Sequence, residues 1–223
     1  MSTLPSVEPS PTFRLLGLRH GISERNVIQQ LVVGGGDSPL TEQGKEQVQE
    51  TARWLANCQY QPYEIWASPL LRAQSSAKEA CALLGMDEAR IRTDERLSEL
   101  HAGDLEGLLK AEVLTVEMKQ QMATLGMDYQ YPGEKGESMR ICGIRSQQWL
   151  EERLAEWDGQ TSRDILFISH GHASRALRAL LFGVDPLSVW RLAPGDNASL
   201  TLLEYKKGTW HERCVNWLPH FPF

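Results

Sequence analysis

No two cysteines in this 223-residue chain stand in a C-x-x-C pair. The four present, Cys58, Cys81, Cys142 and Cys214, are far apart. That spacing argues against a thiolate metal site and a disulfide framework, and reads as reduced cytosolic thiols. Nor is there an apolar run of about 18 residues, so no membrane span is predicted. The longest candidate, residues 176–184, is interrupted by Arg178. Basic charge is not in excess: 23 Lys+Arg face 29 Asp+Glu, a net charge of −6. This balance argues against a nucleic-acid or anionic-membrane partner and leaves room for a local basic pocket. The first residues lack the basic start and apolar core of a secretory signal. With their prolines and serines, residues 1–11 read as a flexible tail. Residues 12–223 read as one domain, and the location read from these absences is cytoplasmic.

What remains is an ordinary globular composition, 41% hydrophobic and 23% charged. A chain of this length buries roughly 70% of its unfolded surface, enough for a core without staples. Residues 13–18 are a compact apolar strand running into Arg19-His20-Gly21. Gly34-Gly35-Gly36 lies in a loop. Thr41 is the predicted N-cap of an amphipathic helix that carries Val48, Ala52 and Leu55 on one face. Residues 63–67 and 91–93 read as short strands. Between them a helix starts near Pro69 and ends at Gly85. One helix is predicted over 110–125. A second is predicted over 138–157, with Ile141, Ile144, Arg145, Trp149 and Leu154 spread over its faces. Residues 164–169 are the clearest buried strand and enter His170-Gly171-His172, followed by a helix. Two alternating segments around Lys206-Lys207-Gly208 read as a hairpin. Strands alternating with helices predict a three-layer α/β/α sandwich with a mostly parallel central sheet and one antiparallel strand.

Two strand ends thus carry histidines, His20 and His170. In an open α/β sheet, ligands bind beyond the carboxyl ends of strands, so both point to one rim if their strands are neighbours. Arg72 follows a third strand in SPLLRAQ. The N-terminus of the helix after His170 favours an anion. Two arginines and two histidines converging there make a phosphate pocket.

These segments resemble, in order, the histidine phosphatase superfamily, which includes the cofactor-dependent phosphoglycerate mutases. The resemblance rests on Arg19-His20-Gly21 with Asn26, then DSPLTEQG, SPLLRAQSSA, RLSELHAGDLEG, the GES of residues 136–138, and SHGHASRAL. It spans residues 13–205 and implies a phosphoglycerate mutase-like fold. It implies that His20 is the nucleophile, that Arg19, Arg72 and His170 hold the phosphate oxygens, and that Glu99 is the proton donor. Asn26, Ser23, Gly171 and His172 become candidate substrate contacts. So does Lys110, because residues 107–112 resemble the mutase stretch that supplies a substrate-binding lysine. The chemistry is coherent in itself. A neutral imidazole accepts a phosphoryl group, and flanking arginines keep it neutral and offset charge in the transition state. Glu99 must start protonated, so a raised pKa is expected. No metal and no cofactor are implied, because arginines stand where a metal would.

Ile22 departs from the family, whose residue after Arg-His-Gly is usually polar; it is expected to face the protein. Arg175 is read as a structural ion-pair residue, and His101 as a rim or loop residue. The resulting function is a metal-independent phosphatase of a small phosphate monoester. The alternative is a 2,3-bisphosphoglycerate-dependent mutase, opposed by the short segment after Glu99. A non-catalytic phosphate-binding module is the third reading. Specificity is expected from residues 27–36, 101–135 and 190–197. A homodimer through the outer sheet edge is compatible with the sequence, and no motif speaks to it.

Overall fold

A computed structural model describes residues 11–28, 31–32 and 34–219, so the predicted tail lies almost wholly outside the described residues. Six strands form one sheet: β1 (Phe13–Arg19), β2 (Glu64–Ala67), β3 (Ile91–Thr93), β4 (Arg163–Ser169), β5 (Leu200–Lys206) and β6 (Thr209–Trp217). Their order is β3-β2-β4-β1-β5-β6. The first four are parallel neighbours, and β5 runs antiparallel to both β1 and β6. This is the predicted sheet with its one reversed strand. The hairpin turns at Lys207 and Gly208, both with positive φ, which Gly208 adopts without steric cost.

Alternation along the strands builds the two flanking layers, because successive side chains point to opposite faces. Leu16, Leu18, Leu166 and Ile168 pack on one face against Val48, Ala52, Leu55 and Ala77. Those residues belong to α2 (Glu42–Asn57) and α3 (Leu71–Leu83), which follow the short α1 (Glu24–Val27). Leu15, Ile165 and Phe167 point the other way, onto Trp149, Leu150 and Leu177. This second layer is α6 (Met139–Ala155) and α7 (Gly171–Leu181). A third cluster, including Val32, Leu100, Met127 and Tyr131, covers the carboxyl ends of the strands.

Several boundaries differ from the sequence reading, each for a local reason. The helix predicted over 110–125 is two helices, α4 (Lys110–Val113) and α5 (Val116–Leu125). Thr115 breaks it by capping α5, its side chain accepting from the Met118 N–H. Pro69 lies just before the Leu70 N-cap of α3, not in its first turn. On α6, Ile141 and Ile144 are exposed. The buried face is Met139, Cys142, Gly143, Ser146, Trp149 and Leu150. Gly143 allows this, since a Cβ there would meet Leu180 at 2.8 Å, so the close approach to α7 decides which face docks. Among the described residues no helix is long and apolar enough to cross a membrane.

Candidate active site

Adjacent parallel strands deliver the two histidines to one place. Arg19 on β1 is in register with Ser169 on β4, and the His20 N–H donates to the Ser169 carbonyl at 3.1 Å. The His20 and His170 ring centroids are 5.0 Å apart. Gly21 is required by packing: a Cβ there would lie 2.1 Å from the Gly44 carbonyl oxygen at the start of α2. Ile22 does not line the cavity; its N–H donates to Gln47, and its carbonyl accepts from Thr41.

The His20 ring is fixed in one orientation. With Nδ1 protonated, it donates to the Gly21 carbonyl at 2.7 Å, and the Nε2 lone pair accepts from Arg72 Nε at 3.2 Å. Burial holds its pKa well below the ordinary value of 6.5, and the charges of Arg72 and Arg19 add to this. His20 is therefore a neutral imidazole with its lone pair at Nε2. His170 is wholly buried. Its Nε2 lies 2.8 Å from Ser68 Oγ, and its Nδ1 has no partner among the described residues. Burial, and then Arg72, hold its pKa well down too.

Arg72 is fully buried and is held from behind. Its Nη1 and Nη2 donate to the Gly36 and Gly34 carbonyls at 2.8 and 3.1 Å. That glycine loop is pinned in turn by Glu106, whose Oε1 accepts from the Gly35 and Ala102 N–H groups, both at 2.9 Å. Arg19 donates to the Gly195 carbonyl at 2.6 Å and keeps a buried Nε without a partner among the described residues.

Glu99 corrects two expectations. The N-terminus of α7 does not wait for an external anion, because the Glu99 carboxylate occupies it. Oε1 accepts from the N–H groups of His172 (3.1 Å), Ala173 (3.0 Å) and Leu100 (2.9 Å). Its pKa is lowered, not raised. Burial pushes it up, but His172, the Leu100 N–H, Arg72 and Arg19 together outweigh that. In the resting site Glu99 is a carboxylate. Arg145 fixes its backbone: it donates to the carbonyls of Arg96, Ser98 and Glu99 and forms a two-pronged pair with Glu137. This explains the GES segment, where Glu137 orients Arg145 and Ser138 caps α6.

A cavity of about 370 Å³ opens on these groups. Its lining includes Arg19, His20, Asn26, Glu99, Gly171, His172 and Lys110, so most of the candidate residues meet there. His170 and Arg72 are not on that lining but adjoin His20, His170 with its ring centroid 5.0 Å away and Arg72 at Nε2. Ser23 does not reach the cavity; it is fully buried, and its N–H and Oγ both donate to Asn26 Oδ1 at 3.1 Å. A direct substrate contact for Ser23 is therefore corrected to a positioning role. Asn197 Nδ2 also donates to Asn26 Oδ1, leaving Asn26 Nδ2 for the cavity. His101 sits on the glycine loop, against Gly35 and 3.6 Å from Glu106.

Sequence reasoning missed Ser68, Glu106, Asn197 and Tyr131, and misjudged Arg175. Arg175 forms no structural ion pair among the described residues; it lines the cavity with Tyr131 and Trp190. Burial pushes the Tyr131 hydroxyl up to about 12. Ser68, Glu106 and Arg175 lie inside the quoted motifs, but their contacts join separate segments, which no spacing within a motif reveals.

A neutral, tautomer-locked imidazole flanked by arginines, with a carboxylate in the same cavity, defines a phosphoryl-transfer site on an α/β sandwich. The comparisons agree. Residues 15–218 match the model of the histidine phosphatase superfamily (branch 1), and the chain belongs to that family. It is 32% identical over 196 residues to a glucosyl-3-phosphoglycerate phosphatase of Mycobacterium tuberculosis, covering 85% of this chain and 84% of that one. It is 30% identical over 174 residues to a 2,3-bisphosphoglycerate-dependent phosphoglycerate mutase of Parvibaculum lavamentivorans, covering 78% and 80%. The solved structure of a mycobacterial glucosyl-3-phosphoglycerate phosphatase superposes with a TM-score of 0.79 at 28% identity, over 92% of this chain and 99% of that chain.

Proposed function

We propose that residues 12–223 form one catalytic domain that hydrolyses a small phosphate monoester through a phosphohistidine at His20. The observation that carries this reading is the presentation of His20 Nε2. Its lone pair is oriented by the Gly21 carbonyl and kept unprotonated by burial and two arginines. A site that only bound phosphate would have no use for such a nucleophile.

In the first step Nε2 gives up its hydrogen bond from Arg72 Nε and bonds to phosphorus, and the bond from phosphorus to the alcohol oxygen breaks. Arg19, Arg72, Asn26 and His170 donate to the equatorial oxygens as charge builds on them. The leaving oxygen takes a proton from Glu99. Because Glu99 rests as a carboxylate, that proton arrives with the ester monoanion, and the bound phosphate then holds it on Glu99. In the second step Glu99 accepts a proton from water as the oxygen attacks phosphorus. The N–P bond breaks and inorganic phosphate leaves. The protein's own cations supply the charge stabilisation at each step.

The mutase reading is kept by one observation: Lys110 lines the cavity. Both readings share the phosphohistidine and differ in what takes the phosphoryl group from it. Phosphate release from a panel of monoesters in EDTA, with 3-phosphoglycerate isomers followed in the same samples, separates them. Free phosphate without isomerisation is the expected result. Isomerised 3-phosphoglycerate with little free phosphate would make the enzyme a mutase.

A further inference from the structure

The segment after β2 touches both imidazoles of the site. Arg72 donates through Nε to His20 Nε2, and Ser68 stands at His170 Nε2. The first contact is used in phosphoryl transfer; the second has no part in it so far. Ser68 is fully buried, and its N–H donates to the Ile168 carbonyl at 2.9 Å, which fixes it beside the end of β4. His170, two residues beyond Ile168, is fully buried as well. Two neighbouring strand ends thus hold the pair together.

The hydrogens of this pair follow from counting. A serine hydroxyl has one proton and two lone pairs, and a neutral imidazole has one N–H and one lone pair. Burial, and then the charge of Arg72, keep His170 neutral. Ser68 Oγ accepts from the Leu70 N–H at 3.3 Å, and its only other side-chain partner among the described residues is His170 Nε2 at 2.8 Å. A proton on His170 Nε2 would make the hydroxyl accept twice and strand the hydroxyl's own proton in the interior. It would also strand a lone pair on Nδ1, which is buried and has no partner among the described residues. A proton on Nδ1 lets the hydroxyl donate to Nε2 and leaves one group over, the Nδ1–H. Each unpaired buried polar group is costly, so the arrangement with one is favoured over the arrangement with two.

The group left over is one that a phosphoryl oxygen completes. The His170 and His20 ring centroids are 5.0 Å apart. An N–H beside His20 attracts an anionic oxygen, whereas a lone pair there would repel it. Both histidines then carry their proton on Nδ1 and do opposite work. His20 spends its Nδ1–H on the Gly21 carbonyl and offers the Nε2 lone pair. His170 spends its Nε2 lone pair on Ser68 and offers the Nδ1–H.

We propose that Ser68 is a positioning residue for phosphoryl transfer: its hydroxyl donates to His170 Nε2, fixes the Nδ1–H tautomer, and makes His170 a neutral donor to the phosphoryl oxygens. This deepens the phosphatase reading and rests on it for the identity of those oxygens. Ser68 also caps Nε2 of His170, so that His20 alone presents a nucleophilic nitrogen.

The tautomer is read directly by 15N NMR of the histidine rings, where a protonated nitrogen and one with a free lone pair resonate far apart. His170 is assigned by its loss in His170→Gln. The native protein at neutral pH should show His170 protonated on Nδ1, and inorganic phosphate should shift that N–H more than Nε2. Ser68→Ala should put a measurable share of His170 in the Nε2–H form. It should weaken vanadate binding about tenfold and lower kcat/KM for p-nitrophenyl phosphate on the order of 10- to 100-fold. Ser68→Cys, with its weak S–H donor, should fall between the two. A native His170 protonated on Nε2 overturns the proposal. So does a Ser68→Ala protein that keeps the Nδ1–H form, as a merely structural serine would allow. A changed tautomer with vanadate affinity and turnover intact overturns it too. If Ser68→Ala does not fold, the native tautomer and its response to phosphate still decide. The Nδ1–H form in a native protein that releases no phosphate from any monoester would sink the phosphatase reading and leave the Ser68–His170 assignment standing.

Discussion

The two ends of the cavity are built on different principles. At the inner end every reactive side chain is over-determined. His20 is held through Gly21, Arg72 through two glycine carbonyls, and Glu99 through three backbone N–H groups. At the outer end the Arg175 Nε has no hydrogen-bond partner among the described residues, and Val32, Leu114, Met122, Trp190 and Pro194 supply an apolar wall. The inner end fixes geometry before any ligand arrives, as transition-state stabilisation demands. The outer end leaves its polar capacity for the substrate to complete. Inner-end changes should therefore depress turnover of every ester, whereas outer-end changes should alter the ranking among esters.

Arg72→Met is the severest test of the inner end short of removing the nucleophile. It deletes a phosphate ligand and the donor to His20 Nε2 together, so kcat/KM should fall by about 10³-fold on all esters alike. A loss confined to a few esters would erase the distinction between the two ends. Glu99→Gln should slow alkyl phosphates by roughly 10²-fold or more but p-nitrophenyl phosphate less than tenfold, because nitrophenolate leaves without a proton. Equal slowing of both would deny Glu99 the proton-donor role.

The pH profile sharpens the same point. His20 is lowered below 6.5, so the acid limb of kcat/KM should lie below that value. Glu99 is lowered in the free enzyme, so the leaving-group proton must come with the ester, whose second pKa is about 6. Activity on alkyl phosphates should then decline above about pH 6, and activity on p-nitrophenyl phosphate should decline less. A plateau for alkyl phosphates reaching well above pH 7 would contradict this account of Glu99.

Glu106→Ala, which frees the glycine loop behind Arg72 without touching substrate, should cost about tenfold in kcat with little change in folding. Unchanged kcat would show that the loop holds Arg72 unaided. The smallest effect is on stability. Unfolded His20 and His170 take up protons near 6.5, whereas the folded, buried rings do so only at lower pH. Stability is therefore present above 6.5 and declines as pH falls through that value. The Tm should drop by several degrees between pH 7 and pH 5. A flat Tm would mean that the two rings are not held neutral.

The contrast between the ends also explains what the sequence disclosed. His20, His170 and Arg72 were legible because each sits where a short strand ends or a helix begins, and local pattern locates such junctions. The parallel sheet followed from the strand and helix alternation, and β5 from its hairpin turn. Glu99 was found, but its seat on the α7 N-terminus was not. That contact joins segments 74 residues apart, which no spacing reveals. The same limit hid Ser68 behind His170 and Glu106 behind the glycine loop. It also turned Arg175 from a presumed ion-pair residue into a cavity wall. Ile141 and Ile144 misled because hydrophobicity marks a face able to dock, whereas Gly143 and its close approach to Leu180 decided which face does.

The proposed mechanism turns on a covalent step at His20, and trapping that intermediate tests it most directly. Rapid acid-free quenching of the enzyme with a 32P-labelled monoester, followed by peptide mapping, should find a base-stable, acid-labile phosphoryl group on His20. It should form and decay fast enough to support turnover, and be missing from His20→Ala together with activity, a loss on the order of 10⁴-fold or more. Label on another residue, or near-native phosphate release by a folded His20→Ala protein, would contradict it.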